Sequence, residues 1–280
     1  MKLARRPFVE NRQTASFIAV RHHWSILGSL NFCMMNFLRL LLLAPAILAF
    51  TMLSAAQMSS VVTLPTSKRL EEIRARVLPE VKQLLSEKEV ALGNPIFIRA
   101  FKESRELEVW LQQVKTKKWV QVKTYQIHTW GGGILGPKLA EGDGQAPEGI
   151  YSVGVDALNP NSSYHLSFNI GYPNTFDKAK GYTGSLIMIH GAKVSIGCFA
   201  MTDPVIEQIY LMAEAALGAG QKKFPVHLFP FRMTDERMTM AATNANLKFW
   251  ENLKPIYDHF VTKREVPKVN ADASGYHIAP

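Results

Sequence analysis

The chain has 280 residues, of which 47% are hydrophobic and 20% are charged, a composition typical of one large or two small globular domains. Residues 1–56 hold six Lys/Arg and one acid, and so account for five of the nine net positive charges. The remaining chain is only mildly basic and has no stripe of Lys and Arg interleaved with aromatics, which argues against a nucleic-acid-binding protein. A mildly basic surface suits an anionic polymer such as a cell wall, although solubility explains it equally well.

The N-terminal region contains an apolar run of 14 residues, 40–53. A membrane span needs about 20 apolar residues, whereas a run of this length is typical of a signal-peptide core. Arg39 supplies the basic flank and the small residues 54–56 supply a cleavage site. We therefore expect a signal peptide over 34–56, a mature chain that starts near Gln57, and export to the periplasm.

Residues 1–33 fit neither a signal peptide nor a domain, so we interpret them as a non-native extension. Translation from Met34 or Met35 would give a signal of ordinary length. The extension includes Cys33, which leaves Cys198 as the single thiol of the mature chain and predicts no disulfide.

The mature chain is predicted to begin with a linker and a helix within 57–94, with Ser67 as the N-cap and an interruption at Pro79. Alternation of β-branched and aromatic residues then predicts strands, the first three of which form an antiparallel meander. The predicted strands are 96–101, 107–114, 119–127, 149–153, 164–170, 185–189 and 226–229. The glycine-rich stretch 131–149 lacks the Gly-Lys-Ser/Thr of a phosphate-binding loop, so it is predicted to be a long surface loop that frames a site.

The C-terminal part is predicted to contain two helices. The first covers 203–217, with Asp203 as cap and Pro204 at the first helical position. The second covers 244–260, and its aromatic residues lie at helical spacing, which is more typical of core than of a ligand site. We place a helical flank at 232–266 and a disordered tail at 267–280.

Chemistry is indicated by the segment 189–203. A predicted strand ends at His190, and a short excursion with two glycines presents Cys198 just before a helix. A histidine that removes the thiol proton would let the thiolate attack a carbonyl group and form a thioester. Gly197 would let backbone amides approach a developing oxyanion, and Ser195 could orient His190 or merely close a turn.

Less specific interpretations exist for the same residues. A single cysteine among apolar neighbours is more often a small buried hydrophobe than a nucleophile. Zinc sites usually need four N/S ligands or three plus water, so no metal is expected here. His128, His165 and His227 lie in strand-like runs and are most simply structural.

His190-Gly191 followed by Ser195-x-Gly197-Cys198 resembles the signature of the L,D-transpeptidase family, whose YkuD-type catalytic domain uses a Cys–His pair. Collinear blocks at 145–151 and 162–169 support this, and the run from about Ile96 to Phe231 is most similar to the YafK-like branch of the family. The resemblance implies a mainly β, mixed-sheet catalytic domain over 95–231, with short helices and N- and C-terminal flanking helices.

The resemblance also implies a site. Cys198 would be the nucleophile and His190 the general base and acid. Supporting roles would fall to Ser195, Gly197 and Gly191, and the substrate cleft would include Tyr164, His165 and Asn169. No cofactor is implied. The partners would be peptidoglycan stem peptides and, for one alternative activity, a lipoprotein attached to the wall.

Three departures from the commoner family pattern leave the acyl acceptor open. Ile196 replaces a histidine of the signature, Ala200 stands where an arginine is usual, and the spacing from His190 to Cys198 is shorter than in most members. We therefore keep three hypotheses: a transpeptidase, which the family favours; a hydrolase that uses the same thioester to release lipoprotein; and a non-catalytic wall-binding module with an inert thiol.

Overall fold

The computed structural model of the protein describes residues 62–280. The predicted signal peptide, the N-terminal extension and Cys33 lie outside these residues.

The described residues form helices and strands in alternating groups. The helices are α1 (Lys68–Ser86), α2 (Thr175–Ala179), α3 (Asp203–Gly218), α4 (Asp235–Met240) and α5 (Leu247–Lys263), with a 3-10 turn at Val155–Ala157. The strands are β1 (Ile96–Phe101), β2 (Glu106–Gln112), β3 (Trp119–Gln126), β4 (Thr129–Trp130), β5 (Gly149–Gly154), β6 (Leu158–Asn159), β7 (Ser167–Asn169), β8 (Met188–His190), β9 (Phe199–Ala200), β10 (Lys223–Phe229), β11 (Val269–Asp272) and β12 (Gly275–Ile278).

Two five-stranded sheets form the body of this region. The first has the order β3-β2-β1-β10-β5, in which the predicted antiparallel meander is extended by a parallel β1–β10 pair. The second has the order β4-β9-β8-β7-β6, with β8 and β9 parallel and the other pairs antiparallel. Both sheets are therefore mixed, as the fold prediction required.

Apolar residues pack on both faces of the first sheet. One face, with Val226 and Leu228, joins the core shared with the second sheet, α1 and α3. The opposite face packs Phe101 and Phe229 against the aromatic side of α5, including Trp250 and Tyr257. The predicted structural role of the α5 aromatics is thus confirmed.

Helix α1 does not break at Pro79, so that prediction was wrong. Ser67 caps the helix through a hydrogen bond from the Leu70 amide, as predicted, and the helix then runs unbroken to Ser86. Pro79 and Ala75, whose carbonyl loses its donor, are both exposed to solvent. Water can therefore hydrate that carbonyl while apolar residues on the opposite side hold the helix to the core.

The prediction that Asp203 caps α3 was also wrong. Thr202 is the N-cap and makes no side-chain cap hydrogen bond, while Asp203 is the first helical residue. The Asp203 carboxylate instead accepts a hydrogen bond from the Ala192 amide at 2.7 Å. It thereby ties the helix to the segment that follows His190.

The predicted disordered tail is a β-hairpin formed by β11 and β12. Its buried residue Tyr276 packs on Phe176 with ring centroids 4.9 Å apart. The side chain of Asn252 in α5 accepts from the Tyr276 amide at 2.8 Å and donates to the Tyr276 carbonyl at 3.1 Å. Gly275 has φ +148, and a Cβ there would lie 2.6 Å from the Asn252 amide group, so only glycine fits this close approach. Tertiary contacts thus order a segment whose composition is polar.

Candidate active site

The parallel pairing of β8 and β9 brings the predicted thiol and histidine together. Ile189 pairs with Phe199 and His190 pairs with Ala200, so the same register places Cys198 beside Met188. Side chains alternate along a strand, and Met188 therefore shares a face with His190. Cys198 and His190 are diagonal neighbours across the two strands. The pairing of β8 and β9 therefore accounts for their proximity.

The loop between these strands is held by its own polar groups. Ser195 Oγ donates to the Cys198 carbonyl at 2.7 Å and accepts from the Gly197 amide at 3.1 Å. Ser195 therefore closes the turn that presents the cysteine, and the structure gives it no contact with His190. The Gly197 amide is engaged and is not a free donor for an oxyanion. Gly197 has φ +147, and a Cβ there would lie 3.1 Å from the Gln145 carbonyl oxygen of the glycine-rich loop.

The ring of His190 is fixed in one orientation. It is buried, and Nδ1 lies 2.5 Å from the Gly191 carbonyl oxygen, which can only accept. Nδ1 must therefore carry the proton in the neutral ring, which leaves Nε2 with a free lone pair. Burial lowers the pKa of His190, although the hydrogen bond to Gly191 opposes this shift. The ring is a neutral base at neutral pH.

Gly191 has a second role beyond its carbonyl group. A Cβ at this position would lie 2.6 Å from Asp203 Oδ1 and 2.8 Å from the Tyr164 carbonyl oxygen. Only glycine therefore lets the chain pass between α3 and the segment before β7. The Gly191 amide also donates to the Leu166 carbonyl at 3.0 Å, which holds the residue that orients His190.

The Cys198 thiol is partly buried and contacts backbone groups of the strand entry. Its Sγ accepts from the Met188 amide at 3.3 Å and lies 3.5 Å from the Leu186 carbonyl oxygen. Burial raises the pKa of Cys198, while the Met188 amide and the charge of Lys138 act in the opposite direction. The resting site is thus a neutral thiol beside a neutral imidazole, so any attack by this sulfur would require the thiol to lose its proton at the same time.

Lys138 contributes to the electrostatics of the site, because its charge acts on Cys198. The motifs did not single it out, although it lies within the run of resemblance from about Ile96 to Phe231. Its ammonium group donates to Asp143 at 2.6 Å and to the Ala140 carbonyl at 2.8 Å. Burial acts to raise the pKa of Asp143, but hydrogen bonds led by that from the Ala140 amide lower it to about 2. Asp143 is therefore ionised at neutral pH. Its bonds to Lys138 and to the Leu139, Ala140 and Gln145 amides stabilise the fold of the glycine-rich loop itself.

A buried ion pair anchors the same loop from beneath. Lys102 Nζ lies 2.9 Å from Glu148 Oε1, and both side chains are fully buried. Lys102 also donates to the carbonyls of Gly136 and Ala146 at 2.7 and 2.9 Å. Glu148 accepts from the Gly136 amide and from Trp250 Nε1, each at 2.7 Å. This ion pair thus joins the loop, at Gly136 and Ala146, to the end of β1 and to α5. No local sequence pattern predicted it.

The three predicted cleft residues have different environments. Tyr164 is 43% exposed and its ring lies 4.8 Å from that of His190. Asn169 pairs with Met188 across β7 and β8, so it lies on the face that carries His190, and its side chain accepts from the Gly171 amide at 2.9 Å. His165 instead contacts Glu207 of α3 at 2.8 Å, as expected of a structural histidine rather than of a substrate contact.

Ser167 is a further residue of the site that the sequence did not reveal. It pairs directly with His190 across β7 and β8, and such pairs have Cβ atoms about 4.5–5.5 Å apart. Its Oγ is buried and has no hydrogen-bond partner among residues 62–280. Its only sequence signal was its position in a predicted strand of the cleft.

Within residues 62–280, no group of three or more His, Cys, Asp and Glu side chains is arranged to hold a metal ion. In the same part of the chain, no helix is both long and apolar enough to cross a membrane.

Comparison with known proteins identifies related sequences. The sequence model of the YkuD L,D-transpeptidase catalytic domain matches residues 101–228. A protein of Escherichia coli K12, provisionally named L,D-transpeptidase YafK, is 41% identical over 192 residues, covering 69% of this chain and 77% of the relative. The YafK protein of Escherichia coli O157:H7 gives the same values.

Solved structures show weaker similarity. The helical cell shape determining protein Pgp2 of Campylobacter jejuni is 22% identical and has a TM-score of 0.40, with 68% of this chain and 79% of that chain covered. Bd1075 of Bdellovibrio bacteriovorus is 23% identical and has a TM-score of 0.33, with 49% and 48% covered.

The sequence comparison decides the family, and with it the fold prediction of a mainly β, mixed-sheet catalytic domain is confirmed. Because the YafK relative is 41% identical over 77% of its own length, the chain belongs to the L,D-transpeptidase family and carries its YkuD-type catalytic domain.

Proposed function

We propose that this protein is a cysteine acyltransferase that acts on peptidoglycan stem peptides, with Cys198 as nucleophile and His190 as base. The observation that carries the proposal is the β8–β9 pairing. It places the thiol beside a histidine whose Nδ1 is held by the Gly191 carbonyl, so that Nε2 is free to accept a proton. Family membership supplies the substrate class.

In the acylation step, Nε2 of His190 takes the proton of Cys198 as Sγ attacks the carbonyl carbon of meso-diaminopimelate. The new S–C bond forms, and the bond to the terminal D-alanine breaks. His190 returns the proton to the leaving amine, and a thioester remains on Cys198. Because both groups are neutral at rest, His190 must act during the attack rather than before it.

In the second step, an amine attacks the thioester carbonyl carbon and loses a proton to His190. The C–S bond breaks, His190 returns the proton to the Cys198 thiolate, and the amine is left linked to the stem peptide. No cofactor is needed for either step, since all bonds are exchanged between acyl groups and amines. Ser167, beside His190, and Tyr164, on its ring, are positioning residues in this scheme, and the Lys138–Asp143 pair stabilises the fold of the glycine-rich loop.

Hydrolysis is the second candidate, and the surface near Cys198 favours it. The side chain of Ile196 is 91% exposed, and those of Val194 and Leu186 are also largely exposed. Ala200 is buried and offers no charged group for an acceptor. Water that reaches the thioester would release the acyl group, and a stem peptide joined to a lipoprotein would be one substrate of that kind.

We also propose that the protein works in the periplasm in cell-wall biogenesis or remodelling, after export by the signal at 34–56. The support is the sequence pattern of the N-terminal region and the substrate class of the family. N-terminal sequencing of protein recovered from the cell envelope tests this, and a start near Gln57 is the expected result.

The experiment that tests the reaction uses purified protein with two substrates, disaccharide-tetrapeptide and sacculi that carry lipoprotein. Release of D-alanine with new dimers, or with exchange of an added D-amino acid, is expected for the transferase. Release of lipoprotein without either product would assign the hydrolase. His190→Ala should lower the rate at least about 10²-fold, the scale for a positioned base. Unchanged turnover in a folded His190→Ala variant would contradict the proposal.

A further inference from the structure

A groove of about 680 Å³ lies away from the Cys198–His190 site. One wall is the outer face of the first sheet, where Ser152 of β5 pairs with Pro225 of β10. The other wall is the C-terminal hairpin, through Val269 and Asn270. The volume falls in the range of about 300–1,000 Å³ that small-molecule sites occupy. No residue of the catalytic pair lines the groove.

The lining combines apolar surfaces with uncharged polar groups. Pro225 and Val269, both partly exposed, supply apolar surface, and Ser152 and Asn270 supply exposed hydroxyl and amide groups. The ammonium group of Lys223, also exposed, is the charged side chain of the lining, and no carboxylate lines the groove. Such a surface suits a ligand with apolar faces, hydroxyl and amide groups, and at most a weak negative charge.

His227 adds a buried polar group to the groove. The side chain is 1% exposed, and its Nδ1 has no hydrogen-bond partner among residues 62–280. Its ring packs edge-on against Phe97 with centroids 4.7 Å apart, which fixes its position. Burial, helped by the charge of Arg99, lowers the pKa of His227 to about 3, so the ring is neutral in the cell. A buried polar atom without a partner costs free energy, which a functional role can explain.

The groove is linked to the catalytic strands by a short connection. The segment after β7 supplies Gly171 and Thr175 to the groove, and Asn169 at the end of β7 pairs with Met188, two residues before His190. One continuous stretch of chain thus contributes to both places. A polymer long enough to span both places could be held in the groove while its peptide branch lies at the thiol.

We propose that this groove binds the glycan strand of peptidoglycan, a chain of N-acetylated amino sugars, and so holds the polymer that carries the substrate peptide. Pyranose rings present apolar C–H faces to Pro225 and Val269, and acetamido and hydroxyl groups pair with the Ser152 hydroxyl and the Asn270 amide, beside the neutral ring of His227 that also lines the groove. Lys223 at the mouth suits the carboxylate that becomes free wherever a muramic acid lacks its peptide. The choice of glycan rests on the proposed function, because the polymer is inferred from the substrate class.

The test measures binding of N-acetylglucosamine oligosaccharides and of peptide-free glycan to the Cys198→Ala protein, so that catalysis is not involved. Ser152→Trp, which fills the groove, and the double variant Lys223→Ala/Asn270→Ala should each weaken glycan binding at least tenfold. The matched controls are Thr124→Trp, an exposed hydroxyl on the opposite edge strand of the same sheet, and Lys222→Ala, the exposed neighbour of Lys223. Both controls should bind as tightly as the parent.

The same groove and control substitutions in the active protein separate this proposal from the proposed function. Turnover of a free soluble tetrapeptide should stay within twofold, while KM for intact sacculi should rise at least fivefold in the groove variants alone. Loss of turnover on the free peptide in Cys198→Ala tests the reaction and leaves the groove assignment untouched. Absence of glycan binding by the parent, equal binding by Ser152→Trp and Thr124→Trp, or binding of the free peptide in place of glycan would each overturn the proposal.

Discussion

The ion pair of Lys102 and Glu148 gives the sharpest prediction about stability. Replacing Lys102 by Met leaves the Glu148 carboxylate buried without a counter-charge and removes the donor from the carbonyls of Gly136 and Ala146. Breaking a buried pair on one side costs about 3–5 kcal/mol, a large part of the roughly 5–15 kcal/mol that stabilises a folded domain. Glu148→Leu should cost at least as much, because the Gly136 amide and Trp250 lose their acceptor.

Urea denaturation of both single variants and the double variant Lys102→Met/Glu148→Leu measures the coupling between the two residues. The double variant should cost several kcal/mol less than the two single costs added together, since no unpaired charge remains. Arg237→Met is the surface control, because Arg237 pairs with Glu103 at a partly exposed site and should lose no more than about 1 kcal/mol. Additive single costs, or a cost of Lys102→Met no larger than that of the control, would refute the reasoning.

Three other predictions concern ionisable groups. Lys138→Met should move the pH midpoint of Cys198 alkylation by iodoacetamide upward, because the charge that lowers the thiol pKa is gone. Lys138→Arg keeps the charge and should leave the midpoint unchanged. Equal midpoints for Lys138→Met and the parent would exclude a role for this charge. Turnover should fall on acidification, because only the neutral His190 ring can accept the thiol proton. The midpoint should lie below the usual histidine pKa of about 6.5, because burial lowers the pKa of His190. A midpoint above that value would contradict the assigned base. The folded state should lose about 1.4 kcal/mol per pH unit below about pH 6.5 through His227, because the unfolded chain then binds a proton that the folded chain, with a His227 pKa of about 3, does not. His227→Leu should remove that part of the pH dependence in urea titrations at pH 7.5 and 4.5, and an unchanged slope would show that His227 is not responsible.

Local patterns in the sequence were enough to predict the strands of the first sheet and to single out Cys198 and His190. Predicted strand 96–101 coincides with β1, and the motif contains both His190, at the end of β8, and Cys198, one residue before β9. The motif also marked Gly191, whose carbonyl orients His190. These features are encoded within a few neighbouring residues, so a sequence pattern can carry them.

Features that depend on contacts distant in sequence could not be predicted. Lys102 and Glu148 are 46 positions apart and meet only after the first sheet has formed. Pro79 predicts a break in the helix unless one knows that Ala75, whose carbonyl loses its donor, is exposed to solvent. The tail is ordered by Asn252 and Phe176, neither of which is near Tyr276 in the chain. Likewise, the pairing of Ser167 with His190 depends on the register of β7 and β8.

Formation of a thioester on Cys198 can be tested by mass spectrometry of the acid-quenched protein. After incubation with disaccharide-tetrapeptide, the peptide that contains Cys198 should gain the mass of the substrate less one D-alanine. The added mass should be removed by hydroxylamine, as expected for a thioester, and it should accumulate more slowly in His190→Ala. An acyl adduct on any other residue, or D-alanine release by a folded Cys198→Ala protein at the parent rate, would contradict the account.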